Sequence, residues 1–475
     1  MPMFSFVVIA YNDELYIKDC LSSIQSQTYH DIEVIVVDDC SSDDTAAIIA
    51  KTIDGDSRFR LVRRQQNAGA HIARMTGVRE THGEHVIFVD GDDRVQSDLC
   101  EQLNRKYETV QPDILRFGIH VIPLHASDEF TKALESSFNV DFDYRTGKEI
   151  MLSVFSDSYG TRDTWSVVDR SFAGNFVRES FAAMTTQSLG RMEDAYEFFV
   201  LADRARSMGV LKGYRGLLYS YGTGLSGNGM QTLTRFKEGQ QGIHGSLEAL
   251  LRYAESRKDP VVSQCARWMR RTVLSIVGRD WAGRLSMNDQ IAAVAEIRKT
   301  WGETETAYII SEPLYARALW VLKDGGYPDY ADPMVQWELL FSELSISDDS
   351  DPLVTEKIRY CGKLCNAVEY REDSRMRDNI LIWQSSNAHM KEIQRAARLE
   401  QIRRSAMRRT VLGRILTGRT SIRALAVLFP QGSKRRKVAG KIKKAYAMFA
   451  SGVWKGYSVK TLFVKGRSVL RRLSA

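Results

Sequence analysis

The chain has little cysteine: six residues in 475, widely scattered. That number excludes a disulfide framework and points to a reducing compartment. Cys361 and Cys365, four apart, can share a helix face, but no second Cys or His pair follows at zinc-site spacing. They read as structural. No stretch approaches about 18 uninterrupted apolar residues, so no membrane-spanning helix is expected. The opening MPMFSFVVIAYND has no basic region before its short apolar run and reads as a strand, not a signal peptide. There is no GxxxxGK[ST], no HExxH and no GxSxG, which removes the P-loop, the zincin pair and the serine elbow. A GxGxxG does occur, Gly222 to Gly227, but late and without a following strand that ends in an acid. It is rejected as a dinucleotide fingerprint, leaving a loop over a substrate or an ordinary turn.

The last scarcity is of negative charge. After Glu400 there is no Asp or Glu; Lys391 to Ala475 holds 23 Lys or Arg against two acids, a net of +21. With +7 overall, the rest of the chain carries −14. Such a block ordinarily meets an anionic surface, phospholipid or nucleic acid. Met407, Val411, Ile415, Ile422 and Leu425, then Val438, Ile442, Tyr446, Phe449 and Val453, repeat at helical spacing among the basic residues. Apolar on one side and cationic on the other is the composition of a helix lying in a membrane surface.

At roughly 150 residues per domain the length allows two to four domains, and 44% hydrophobic with 26% charged residues is ordinary globular composition. The first hundred residues alternate strand and helix signals. Strand signals at Phe4–Ala10, Ile32–Val37, Val86–Val89 and, shorter, Phe59–Val62 alternate with helical patterns, the third from about Ala68 to Thr81. Asn12 and Asp13 offer a cap to the first helix, and Ser41, Ser42 or Asp43 to the second. This order implies a parallel sheet covered on both faces. Residues 113–227 are mixed, with strand-like runs at Ile114–Ile122 and Gly216–Tyr221 around a helical run at Ala195–Met208. From about Met230 to His389 the signals are mostly helical. Expected domains are 1–229 (α/β), 230–390 (helical) and 391–475 (basic amphipathic tail). Asp348, Asp349 and Asp351 lack calcium-loop spacing and read as a solvated helix-capping linker.

Chemistry concentrates in acids at strand ends. Asp38 and Asp39 end the second strand; Asp90, Asp92 and Asp93 end the fourth, in HVIFVDGDDR. Carboxylates this close repel unless water, a cation or a basic partner compensates. The choice is a solvated turn or a metal site at the carboxyl edge, where open α/β sheets bind ligands. Asn67-Ala-Gly69 and Arg74 enter the third helix near the same edge, and an Arg there can pair with acids or hold phosphate. Acids for a metal beside an Arg for phosphate suit a nucleoside diphosphate.

FSFVVIAYND, EVIVVDDCSSDDT, NAGAHIARMTG and HVIFVDGDD, in this order and spacing, resemble the N-terminal half of family-2 glycosyltransferases of the GT-A fold. The resemblance covers residues 4–100, continues more weakly through LGRMEDAYEFF to about Gly227, and gives little guidance beyond residue 230. It implies that Ala10, Tyr11, Asp39, Asn67, Arg74, Asp90 and Gly91 serve the nucleotide sugar, most often a UDP-sugar. It implies Mn²⁺ or Mg²⁺ at Asp92 with Asp93 beside it. Asp194 of the Glu193-Asp194 pair would be the base that deprotonates an acceptor hydroxyl, although an acid there also suits a helix N-terminus. Trp165, Arg170, Arg178 and Glu193 fall where the family meets its acceptor, while core packing and surface ion pairs explain them equally well.

The resulting expectation is a metal-dependent, inverting transferase. It would move a sugar to a cell-surface polysaccharide, teichoic-acid-like polymer or lipid-linked glycan, in the cytoplasm and peripheral on the inner face of the cell membrane. The tail would bind anionic lipid; no nucleic acid is expected, and a homo-oligomer is compatible. The competing readings are a nucleic-acid- or membrane-binding protein with a degenerate α/β domain, and tail helices folded back for oligomerisation.

Overall fold

The computed structural model describes residues 1–123, 127–157, 162–222, 229–324 and 333–369. The basic tail, its apolar stripes and most of the Gly222–Gly227 loop therefore lie outside the described residues. The first half contains β1 (Phe4–Ala10), α1 (Ile17–Gln25), β2 (Ile32–Asp38), α2 (Thr45–Thr52), β3 (Phe59–Arg63), α3 (Gly69–Arg79), β4 (His85–Asp90), β5 (Arg94–Val95) and α4 (Leu99–Tyr107). There follow β6 (Ile114–Arg116), β7 (Ile119–Pro123), α5 (Asp128–Phe138), β8 (Arg145–Thr146), α6 (Lys148–Val154), β9 (Arg170–Ala173), α7 (Gly174–Ala182), α8 (Glu193–Arg204), β10 (Ser207–Val210) and β11 (Leu217–Tyr221).

The main sheet runs β3-β2-β1-β4-β9-β6-β10-β8. Its first four strands are parallel; β1, β2 and β4 are almost wholly buried, as their apolar runs require, while β3 at the edge is only partly buried. All seven residues of β1 are buried. Register sets the site: Ala10 at the end of β1 lies opposite Asp38, and Ile9 lies opposite Asp90. Both acidic strand ends thus flank the end of the central strand. On one face α3 packs so closely that a Cβ at Gly77 would overlap the Val7 side chain.

Beyond β4 the sheet turns mixed. β9 inserts antiparallel between β4 and β6, an element not expected from the sequence. The apolar run Ile114–Ile122 is not one strand. Phe117 is buried and Gly118 has φ +77°, so the chain turns out of the main sheet. β7 then joins β11 and β5 in a second, three-stranded sheet. The helical run expected to reach Met208 stops at Arg204, and Ser207–Val210 pairs with β6 as a strand.

From residue 233 every described element is helical: α9 (Leu233–Arg257), α10 (Pro260–Arg284), α11 (Met287–Trp301), α12 (Glu303–Asp324), α13 (Pro333–Ser342) and α14 (Pro352–Glu369). The sequence signals for these ends are present. Thr232 and Ser286 accept from Arg235 N and Asp289 N, and Asp259 accepts from Val261 N and Val262 N ahead of Pro260. Buried indoles have their donors satisfied: Trp301 Nε1 donates to Gln240 Oε1 at 2.6 Å, and Trp281 and Trp337 donate to Gln290 O and Oε1. α9 packs on α8, and α10 on α6, so the helices build directly onto the sheet domain. The Asp348–Asp351 segment is not simply solvated. Asp351 caps α14, while Asp349 and Asp351 are ion-paired to Arg270 and Arg271 of α10.

None of the six cysteines is in a disulfide, and Cys361 and Cys365 are buried on α14. Among the described residues no helix is long and apolar enough to cross a membrane.

Candidate active site

Three loops meet at the carboxyl edge of β1, β2 and β4. In the first, Asn12 takes a left-handed conformation (φ 57°), and its side-chain oxygen accepts from Ser42 N at 2.9 Å. Asp13 does not cap α1; Tyr16 holds the cap position without a side-chain bond. The Asp13 carboxylate instead accepts from Tyr11 N at 2.9 Å and faces the β4 loop. There, a Cβ on Gly91 would sit 2.7 Å from Asp13 Oδ2 and 3.0 Å from Ile9 O, so only glycine fits between them. The cap position of α2 is Asp44, without a side-chain bond, and not Ser41, Ser42 or Asp43; Asp43 accepts from Thr45 N at 3.0 Å.

In the second loop Asp38 is buried and internally committed, accepting from Ser41 N and pairing with Arg63. Asp39 is buried too. Its carboxylate receives Gly69 N at 2.7 Å, Ala68 N at 3.1 Å and Arg64 Nη1 at 2.7 Å. It therefore anchors the first turn of α3, whose entry needs a positive φ at Gly69. Tyr11 remains 48% exposed beside it, a free aromatic face at the mouth of the crevice. Asn67 is exposed just before α3.

The third loop carries Asp90, Asp92 and Asp93. Asp90 pairs with buried Arg74 at 3.0 Å. Asp93 is buried; Oδ1 accepts from Ser220 N at 2.8 Å, bracing β11 of the small sheet, while Oδ2 has no partner. Burial, with Asp92 and Asp90 nearby, pushes the Asp93 carboxyl well above the usual range. Burial and then Asp92, Asp90 and Asp43 push Asp13 up to about 7, against the opposing hydrogen bond from Tyr11. These are hard oxygen donors that repel one another, and one of the oxygens is orphaned, so the donor set suits a divalent cation. Among the described residues no three acids or other ligating side chains are already gathered as a complete ligand set.

Arg74 links this loop to α8. Besides Asp90 it reaches Glu197 Oε2 at 3.1 Å and Glu193 Oε1 at 3.4 Å. His71, one turn earlier on α3, lies 2.8 Å from the other Glu197 oxygen. Burial disfavours the Arg74 charge, but Glu197, Asp90 and Glu193 outweigh it and hold the guanidinium cationic. Glu193 and Asp194 begin α8 directly after Met192, which has φ 71°. Burial and the neighbouring Glu193 raise the Asp194 carboxyl to about 8.

Asp194 lines a cleft of about 710 Å³ that also contains Trp165, between the sheet domain and α10 and α12. Of the other expected acceptor residues, Glu193 turns to Arg74, and Arg170 and Arg178 are not there. Arg170 is fully buried on β9, paired with Asp163 and Asp169, because its strand is internal to the sheet. Arg178 donates to Gly83 O at 3.2 Å, at the opposite, amino end of β4. The cleft's arginines are Arg162, Arg271 and Arg279.

In the sequence His71 and Glu197 carry no role, and Asp13 only that of a helix cap. The available signal was spacing: His71 with Arg74 on α3, and Glu193 with Glu197 on α8, each share a helix face. Nothing in the sequence says that those two faces meet.

Parallel strands ending in acids at one edge, with an Arg among them and an acid pair opening a later helix, define an α/β domain of the GT-A type. Residues 5–162 match the family model described as glycosyl transferase family 2. The chain is 41% identical over 108 residues to glycosyltransferase GlyA of Streptococcus pneumoniae, covering 23% of this chain and 15% of that protein. It is 37% identical over 120 residues to the uncharacterized glycosyltransferase EpsJ of Bacillus subtilis, covering 25% and 35%. The likeness thus spans well under half of either relative's length. A solved structure of S. aureus TarS residues 1–349 with UDP-GlcNAc is 17% identical, covers 74% of this chain and 97% of that one, and has a TM-score of 0.46.

Proposed function

We propose that the chain is a metal-dependent, inverting glycosyltransferase, moving a sugar from a nucleotide donor, a UDP-sugar by preference, to a hydroxyl of a cell-surface glycan. The observation that carries this reading is Arg74, which ties Asp90 on the donor side to Glu193, next to Asp194, on the acceptor side. The family match over residues 5–162 supports the same reading.

In this reading Tyr11 covers the base, and Asp39, through its hold on the α3 turn, sets the shape of the base pocket with Ala10 and Asn67. Asp92, with Asp93 behind it and Asp90 beside it, would hold Mn²⁺ or Mg²⁺. That cation supplies charge stabilisation for the departing nucleoside diphosphate. Gly91 lets the backbone of the loop lie close against Asp13. Asp194, once ionised, takes the proton of the attacking hydroxyl from the face opposite the leaving group. A single displacement of that geometry inverts the anomeric centre. The tail, the anionic membrane contact and a location on the inner membrane face belong to this proposal, supported by the +21 charge of residues 391–475.

The test is release of nucleoside diphosphate from UDP-, dTDP- and GDP-sugars with Mn²⁺, repeated with EDTA. Metal-dependent release from one donor is the expected result. Absence of binding by any donor in calorimetry would overturn the reading. Vesicle flotation with and without residues 401–475 tests the membrane contact.

A further inference from the structure

The cleft that holds Asp194 is built for charge as well as for shape. Arg162 projects from the sheet domain and lies over the Trp268 ring at 4.7 Å, while Arg271 and Arg279 come from α10. The acids around the cleft other than Asp194 have cations of their own. Asp163 is enclosed by Arg116, Arg145 and Arg170, Glu312 is paired with Lys357, and Asp157 lies 3.8 Å from Arg162. Arg271 is held by Asp351. Arg279 is exposed and has no carboxylate partner among the described residues. Half-exposed Trp165 adds an aromatic face to the same cleft.

Aromatic faces pack on the C–H faces of sugar rings. Guanidinium groups recognise carboxylate and phosphate through paired N–H donors. A cleft with both, in which the acids other than Asp194 are paired while Arg279 is not and Arg162 is held only by the exposed Asp157, selects a glycan that carries negative charge. We propose that the acceptor is an acidic glycan, bearing phosphodiester or carboxylate groups, whose charge is read by Arg279 and Arg162 while Trp165 supports the sugar at Asp194. This rests on the transferase reading for the word acceptor. The cations come from two modules, so acceptor choice is a property of the junction between sheet domain and helices. Arg170 and Arg178 take no part in it.

The test uses the full chain, intrinsic tryptophan fluorescence and three oligomers of matched length. These are a galacturonate pentamer, a glycerol-phosphate pentamer and neutral maltopentaose. At low salt at least one acidic oligomer should bind about ten-fold tighter than the neutral one, the scale of hydrogen bonds to charged groups. The preference should weaken as salt screens it. Binding by only the phosphate or only the carboxylate oligomer would name the source of the charge. Both arginines are solvent-accessible, so an Arg162→Gln, Arg279→Gln double variant should keep the native circular dichroism spectrum and lose the preference. Equal affinity for neutral and acidic oligomers, binding of none, or a preference that survives the double variant overturns the proposal. Donor calorimetry on the same samples separates the two ideas. Donor binding without acidic preference sinks only this one, and absence of donor binding sinks the transferase reading itself.

Discussion

Arg74 Nη1 and Glu197 Oε2 lie 3.1 Å apart with both side chains buried, and Nη2 of the same guanidinium lies 3.0 Å from Asp90. A single cation on α3 therefore couples the acidic loop after β4 to the first turns of α8. Glu197 serves two partners at once, because its second oxygen faces His71. Burial opposes the His71 charge, yet the bond and charge of Glu197 outweigh it, so the imidazole pKa is raised.

Removing Glu197 takes a carboxylate from buried Arg74 and leaves a ring nitrogen of buried His71 without its partner. Glu197→Ala is expected to cost about 3–5 kcal/mol, the usual penalty for leaving one partner of a buried ion pair. Urea unfolding of the wild type and the variant measures it. Donor affinity should fall as well, since Arg74 loses the contact that aims it at Asp90. A variant as stable as wild type would show that the pair contributes nothing net.

Asp194 gives a pH signature in two opposite directions. Its folded pKa of about 8 lies above the ordinary 3.8. The folded state then binds more protons than the unfolded state between these values. Stability from this group is complete at low pH, declines as pH rises from 3.8 towards 8, and is flat above. Asp194→Asn removes that decline, so the variant should melt higher than wild type at pH 8.5 and lose the advantage near pH 4. Sugar transfer should rise through about pH 8 in the wild type, as the carboxylate ionises to act as base. In the variant it should drop by about 10²–10⁴-fold. A wild-type rate that is flat from pH 6 to 9 would remove Asp194 from that role.

Asp92 offers the cleanest test of the cation. It is partly exposed, unlike Asp93, so Asp92→Asn should fold normally. Its donor affinity in Mn²⁺ should fall by about ten-fold or more, the range seen when metal sites lose a supporting group. Its affinity in EDTA should match that of the wild type. Calorimetry in both buffers decides it, and an unchanged Mn²⁺ effect would move the site elsewhere.

β1, β2 and β4 were legible because burial on both faces demands nearly continuous apolar runs, and Asp38 and Asp90 stop two of those runs at one edge. β9 was not. Its first residue is Arg170, whose charge suggests surface until Asp163 and Asp169 are seen enclosing it. The break at Phe117-Gly118 was hidden by apolar residues on both sides, since hydrophobicity does not record a positive φ. Composition also misassigned the cleft's cations. Arg170 and Arg178 lie near the acid pair in sequence, whereas Arg271 and Arg279 lie near it in space, nearly eighty residues later. Local pattern carries the parallel half-sheet and the motif loops; the packing of α10 against them is a long-range fact.

Gly190 tests how far that packing controls the chemistry. A Cβ there would lie 2.6 Å from Gly242 Cα on α9, and backbone cannot move aside as a side chain can. The next residue, Arg191, is ion-paired with Asp280 of α10, and Asp194 follows within one turn. Gly190→Ala must therefore push α9 away from the segment that enters α8. Overpacking of this kind costs about 1–3 kcal/mol, visible as a lower melting temperature. If Asp194 is the proposed base, its displacement with Tyr11, Asp39 and Arg64 untouched should make sugar transfer fall several-fold more than donor binding. Equal losses in both would mean that the strain spreads through Glu193 and Arg74 into the donor side, and that α9 sets the whole crevice.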